Sequence, residues 1–143
     1  SRGLGDVYKR QPMDFTEGKL IGRDIDTGFA QTTMVGGGYD HCFVIDRGRG
    51  ASQSLCAWAS SDKTGISMKV YTTQPGVQLY TSNFLKSATA CKDGASYGQY
   101  SAVCLETQDF PDAPNHPDFP DTTVLPDRPY SATTLYRFDL APL

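Results

Sequence analysis

Ile66-Ser67-Met68-Lys69-Val70-Tyr71 and, past the Pro75-Gly76 turn, Val77-Gln78-Leu79-Tyr80-Thr81-Ser82 decide the fold. In the first run Ile66, Met68 and Val70 alternate with Ser67, Lys69 and Tyr71. In the second Val77, Leu79 and Thr81 alternate with Gln78, Tyr80 and Ser82. A period of two is that of a strand with one buried face. Working outward, Cys42 to Ile45 and Leu55 to Ala59 are short apolar runs closed by the turn clusters Asp46-Arg47-Gly48-Arg49-Gly50 and Ser60 to Gly65. Tyr100 to Gln108 and Ala132 to Leu140 supply two more strands. No stretch sustains a 3.6-residue period. The fold class expected is all-β, an antiparallel β-sandwich.

Composition agrees with that reading. Of the 16 acidic residues only Glu17 and Glu106 are glutamates, and 14 glycines and 9 prolines accompany the aspartates. Aspartate favours turns and caps where glutamate favours helix interiors, so Glu106 is conspicuous on its strand. The net charge of −3 argues against a nucleic-acid binder, which needs a clustered basic excess. The longest apolar run, Leu55 to Ala59, is far short of the roughly 20 residues that span a bilayer. Cys42, Cys56, Cys91 and Cys104 lack zinc-knuckle or CxxC spacing, and only two histidines exist, so no metal is expected. Reduced thiols in an intracellular, cytoplasmic protein are expected, with two disulfides in a secreted chain as the alternative.

The domain expectation is a leader at residues 1–11, read as non-native or disordered and kept out of the fold, followed by one unit over residues 12–143. Between Asp109 and Pro129 lie six prolines. Pro111, Pro114, Pro117 and Pro120 recur every third residue, the repeat of a polyproline II turn. A rigid loop over a sheet edge is the reading preferred to an SH3-type ligand, because Asp112 and Asp118 interrupt the run.

Strand parity selects candidate chemistry. Val103, Leu105 and Thr107 share one face, on which Val103 and Leu105 are expected to anchor the core, and Glu106 falls on the other face with Ala102, Cys104 and Gln108. Gln78 and Tyr80 form an amide-and-ring pair suited to sugar hydroxyls and C–H faces. Gly36-Gly37-Gly38 permits a sharp bend that delivers Asp40 and His41 to a strand start. Each has a structural reading too: Glu106 as a solvent-facing salt-bridge partner, Asp40 as a turn residue, His41 as a strand histidine.

Together, Gly38-Tyr39-Asp40-His41, Thr72-Thr73-Gln74-Pro75-Gly76-Val77-Gln78-Leu79-Tyr80-Thr81-Ser82-Asn83, and Cys104-Leu105-Glu106-Thr107-Gln108 with Pro111-Asp112-Ala113 and Phe119-Pro120 resemble the aldose 1-epimerase (galactose mutarotase) family. The resemblance runs in order from about Pro12 to Phe138. It implies the C-terminal part of a galactose mutarotase-like supersandwich that interconverts α and β anomers of free hexoses such as galactose and glucose without a cofactor. It assigns Glu106 as general base and Asp40 and Gln78 as sugar-binding residues. The family's acid histidine and a sugar-binding arginine belong to an N-terminal half expected to be missing here, so this chain by itself is expected to be inactive. Cys42 stands where the family usually has asparagine. His116 is given no role. The partner expected is a small-molecule hexose, with no nucleic acid or membrane, and a monomer or weak dimer for the parent.

Competing readings follow from the same residues. Asp40 and Glu106 could be a glycosidase carboxylate pair. The chain could be a non-catalytic sugar-binding sandwich, to be followed by Trp58 fluorescence. It could also be a relative acting on hexose phosphates, which would want extra arginines near the pocket, whereas Arg47 and Arg49 sit in a turn with no evident reason to face it. An incomplete sandwich is expected to leave edges and a core face uncovered.

Overall fold

A computed structural model describes residues 11–46, 52–87 and 91–140. Arg47 and Arg49, and all of the expected leader except Gln11, lie outside the described residues. Six strands follow in order: β1 (Asp40–Val44), β2 (Ser54–Ser60), β3 (Ile66–Thr72), β4 (Gly76–Tyr80), β5 (Cys104–Gln108) and β6 (Thr134–Leu140). They form two three-stranded sheets, ordered β1-β4-β5 and β2-β3-β6. Alternating sequence and short turns produce an all-β antiparallel sandwich architecture, as expected. One short helix, α1 (Ala30–Met34), was not foreseen, because five residues are too few to show a helical period.

The chain divides into two compact units. The first comprises Ser1–Asp40 with Tyr80–Val103, and the second His41–Leu79 with Cys104–Leu143.

In the second unit β3 pairs antiparallel with β2 on one side and β6 on the other. Val70 is fully buried at its centre, and Val77 and Leu79 of β4 and Ile45 are buried as well. The two sheets meet where the Tyr136 hydroxyl donates to the Leu105 carbonyl at 2.8 Å and Thr107 and Thr134 hydroxyls bond at 2.5 Å. Away from that contact β6 opens to solvent: Phe138 is 66% and Leu140 73% exposed, with Ile66 opposite Leu140 also exposed. Among the described residues this apolar face of β3 and β6 is exposed at its end.

The first unit is held differently. Three consecutive glycines, Gly36, Gly37 and Gly38, all have φ near +80°. The backbone turns tightly after α1 and lets the Asn83 and Thr81 side chains seat directly against Gly38. Tyr39 is fully buried, with Phe15 edge-on at 5.1 Å and its hydroxyl donating to the Pro12 carbonyl at 2.9 Å. Lys19 lies over the Phe15 ring at 4.2 Å and pairs with Asp24 at 2.8 Å, its side chain only 3% exposed. Gln11 joins this cluster through its carbonyl, which accepts from Asp14 N–H at 2.9 Å.

Two further expectations are corrected. Val103 does not anchor the core: it is exposed, because β5 starts only at Cys104. Tyr100, at φ 62°, ends a turn rather than opening a strand. The proline segment does not run on as polyproline II. Asp112 adopts a left-handed conformation and Ala113–Asn115 close a 3₁₀ turn with Pro114 inside it. Proline's fixed φ near −65° serves a 3₁₀ turn as well as an extended one, so spacing alone did not distinguish them.

Candidate functional site

Glu106 sits in the middle of β5 and is exposed, and Gln78 sits in the middle of the neighbouring β4, half-buried. Their faces follow from the residues two positions away. Gly76 has no side chain, and an added Cβ there would come within 2.8 Å of the Cys42 sulfur and 3.2 Å of the Phe110 ring. Cys42 in turn is hydrogen-bonded by the Gln108 side chain. Cys42, Gly76 and Gln108 therefore form one row across β1, β4 and β5, with Phe110 packed over the glycine. Alternation carries Gln78 and Glu106 to the same face as that row. The intervening residues Val77 and Leu79 point the other way and are buried.

Burial pushes the Cys42 thiol above its ordinary range, opposed by the Gln108 hydrogen bond. Burial raises the Cys56 thiol likewise. Cys42, Cys56 and Cys104 are free thiols, and all four cysteines are half-buried. No ion pair within 4 Å joins Glu106 to a described residue, so the salt-bridge reading of Glu106 is not realised among these residues. The Glu106 side chain is exposed to solvent. No three His, Cys, Asp or Glu side chains among the described residues are grouped to hold a metal ion.

Asp40 belongs to the first unit, as the opening residue of β1. Its position is set by the glycine turn just before it and by the groups that grip Tyr39. Tyr39 N–H donates to the Thr81 hydroxyl at 2.9 Å, and its carbonyl accepts from Asn83 at 3.0 Å. Asn83 also donates to the Val35 carbonyl at 3.0 Å. The glycine triplet thus has a packing role that local reading did not find, since Thr81 and Asn83 are more than 40 residues away. Tyr80, paired with Gln78 in sequence, accepts the Phe84 N–H at 3.3 Å in this same unit.

His116 pairs with Asp112 at 3.2 Å and stacks on Phe119 at 4.8 Å, and Phe119 meets Phe110 edge-on at 5.1 Å. That aromatic chain ties the proline loop to the Gly76 row. Phe110 was missed from sequence. Its only signal was an aromatic two residues beyond Gln108, and the glycine beneath it lies on another strand. Trp58, expected to report sugar binding, stands instead on β2 of the other sheet.

The class these features define is an antiparallel β-sandwich presenting a carboxylate and an amide on one sheet face, groups that suit a ligand rich in hydroxyls. A family model described as aldose 1-epimerase matches residues 5–137. The chain belongs to the aldose 1-epimerase family. It is 41% identical over 104 residues to galactose mutarotase of Mus musculus, covering 73% of this chain and 30% of that protein. To aldose 1-epimerase of Escherichia coli it is 34% identical over 129 residues, covering 88% of this chain and 36% of that one. The crystal structure of a GalM/aldose epimerase homologue from C. elegans superposes with a TM-score of 0.73 at 25% identity, covering 94% of this chain and 38% of the other. The chain thus spans 30% to 38% of the length of these relatives. Among the described residues no helix is long and apolar enough to cross a membrane.

Proposed function

We propose that this chain is the part of an aldose 1-epimerase that carries the general base, Glu106, and two sugar-binding groups, Asp40 and Gln78, acting on a free hexose such as galactose or glucose. The observation carrying this is the common face of Gln78 and Glu106 on adjacent strands, with Glu106 open to an incoming ligand. A carboxylate accepts protons and an amide both donates and accepts, the pair needed to receive a hydroxyl and hold its neighbours. Mutarotation removes the proton from the anomeric hydroxyl as the ring opens to the aldehyde and the ring oxygen gains a proton. Rotation about C1–C2 and closure on the other face complete the exchange. Glu106 takes the first proton.

The second needs an acid. His116 is held by Asp112 and Phe119 in the proline loop, and the relatives are far longer than this chain, so the acid is assigned to residues outside these 143. In the proposal Cys42 and Gln108 brace the row beside Gln78, and Phe110 presents an apolar wall at that row.

Polarimetry on freshly dissolved α-D-galactose tests the reading. The chain alone should leave the spontaneous rate unchanged, and the longer protein containing it should accelerate it. Glu106→Gln in that longer protein should lower kcat by about 10²-fold or more. An unchanged kcat removes Glu106 as the base.

A further inference from the structure

The chain's single tryptophan stands in a second group of polar residues. Across the β2-β3-β6 sheet Trp58 faces Lys69, and Lys69 faces Arg137. Two residues along each strand, Ser60 faces Ser67, and Ser67 faces Asp139. Because the members of each strand differ by two, all six side chains lie on one face. They line a cleft of about 330 Å³. All six belong to the second unit, on the sheet that carries neither Gln78 nor Glu106.

The chemistry of this grid is unusual for a surface with no ligand. Trp58 is 53% exposed, and Lys69 and Arg137 are exposed beside it. Directly opposed like charges on neighbouring strands, about 4.8 Å apart, destabilise a sheet. Neither cation makes an ion pair within 4 Å with a described residue, and the Asp139 carboxylate accepts the Leu140 N–H at 3.0 Å. An anion placed between Lys69 and Arg137 relieves their repulsion. The indole offers a face for a pyranose C–H surface, and Ser60, Ser67 and Asp139 bond hydroxyls. The cleft falls at the small-molecule end of binding sites, and its own carboxylate and the net charge of −3 disfavour a polynucleotide.

We propose that this cleft is a second binding site, for a monosaccharide bearing a phosphate or carboxylate group. Lys69 and Arg137 hold the anion and Trp58 stacks on the ring.

As the only tryptophan, Trp58 reports this cleft by its emission. The 143-residue chain is titrated with glucose 6-phosphate, glucuronate, galactose and inorganic phosphate, and the indole N–H resonance is followed in parallel. Saturable changes are expected with glucose 6-phosphate or glucuronate, and binding at least about tenfold weaker with galactose and with inorganic phosphate. The source of the anion is read from which of the two charged sugars binds more tightly. Lys69→Gln with Arg137→Gln should weaken the charged sugar by about tenfold or more while the circular dichroism spectrum is kept. Inorganic phosphate binding as tightly as the charged sugars overturns the proposal, as does galactose binding equally in both proteins. A flat response in both emission and resonance overturns it too. None of these outcomes touches the role proposed for Glu106, which polarimetry reads separately.

Discussion

Thr81-Ser82-Asn83 and strand β6 invert the ordinary expectation about what lies inside a protein. The first three are small and polar, and all are at most 5% exposed. Strand β6 carries Leu135, Tyr136, Phe138 and Leu140, all exposed. The difference lies in whether each stretch has its partners. Every polar side chain of the triplet is bonded: Thr81 to Tyr39 N–H and to Asn83, Ser82 to the Ala102 carbonyl at 2.8 Å, Asn83 to two carbonyls. Burial then costs little, because each group exchanges water for an equivalent bond. The apolar side chains of β6 gain nothing until a surface covers them. Hydrogen-bond completeness explains the first stretch, and the absence of a covering layer among the described residues explains the second.

Gly38→Ala presses hardest on the comparison. A Cβ there meets Asn83 and Thr81 at a φ of +79°, so unfolding of the chain in urea should show a loss of about 3 kcal/mol. Asn83→Ala leaves the Val35 carbonyl without its donor and should cost about 1–3 kcal/mol by the same measurement. If Asn83→Ala proves neutral, the triplet is buried without being structurally important.

A smaller effect is expected in acid. Hydrogen bonds from Arg23 and then Lys19 hold the Asp24 carboxyl down to about 2, below its ordinary 3.8. A lowered folded-state value stabilises above the unfolded one and is lost on protonation. The contribution of Asp24 should therefore be intact above about pH 4 and disappear as pH falls through about 2. The urea midpoints of the parent and Asp24→Asn should differ at pH 6 and converge near pH 2.

The smallest change in stability belongs to β6. Phe138→Ser is expected to shift unfolding by no more than about 0.5 kcal/mol, since the ring is already in water. Light scattering should nevertheless fall, because the apolar patch with Ile66 and Leu140 is interrupted. A large destabilisation by Phe138→Ser would show that β6 is packed rather than bare.

Much of the fold was legible because strand alternation is local. Val70, Val77 and Leu79 turn inward and Glu106 outward, as the two-residue period requires. The starts of elements were harder. Val103 reads as a strand residue, yet the left-handed backbone at Tyr100 and the bond from its N–H to the Ser82 carbonyl delay β5 to Cys104. Gln78 and Glu106 were found individually, but their common face depends on Gly76, Cys42 and Gln108 lying in one row across three strands. Lys19 gave no sign in sequence that it would be buried, because the carbonyls and the carboxylate that satisfy it meet only on folding.

Sequence by itself determined the strand periods, the family and the identities of the polar residues, since alternation and motif order are properties of neighbouring positions. Only tertiary structure decided which residues share a face or a cluster: Phe110 over Gly76, Asn83 against Gly38, Trp58 beside Lys69 and Arg137. Those meetings join residues far apart along the chain, and strand pairing, turn geometry and hydrogen-bond satisfaction select them together.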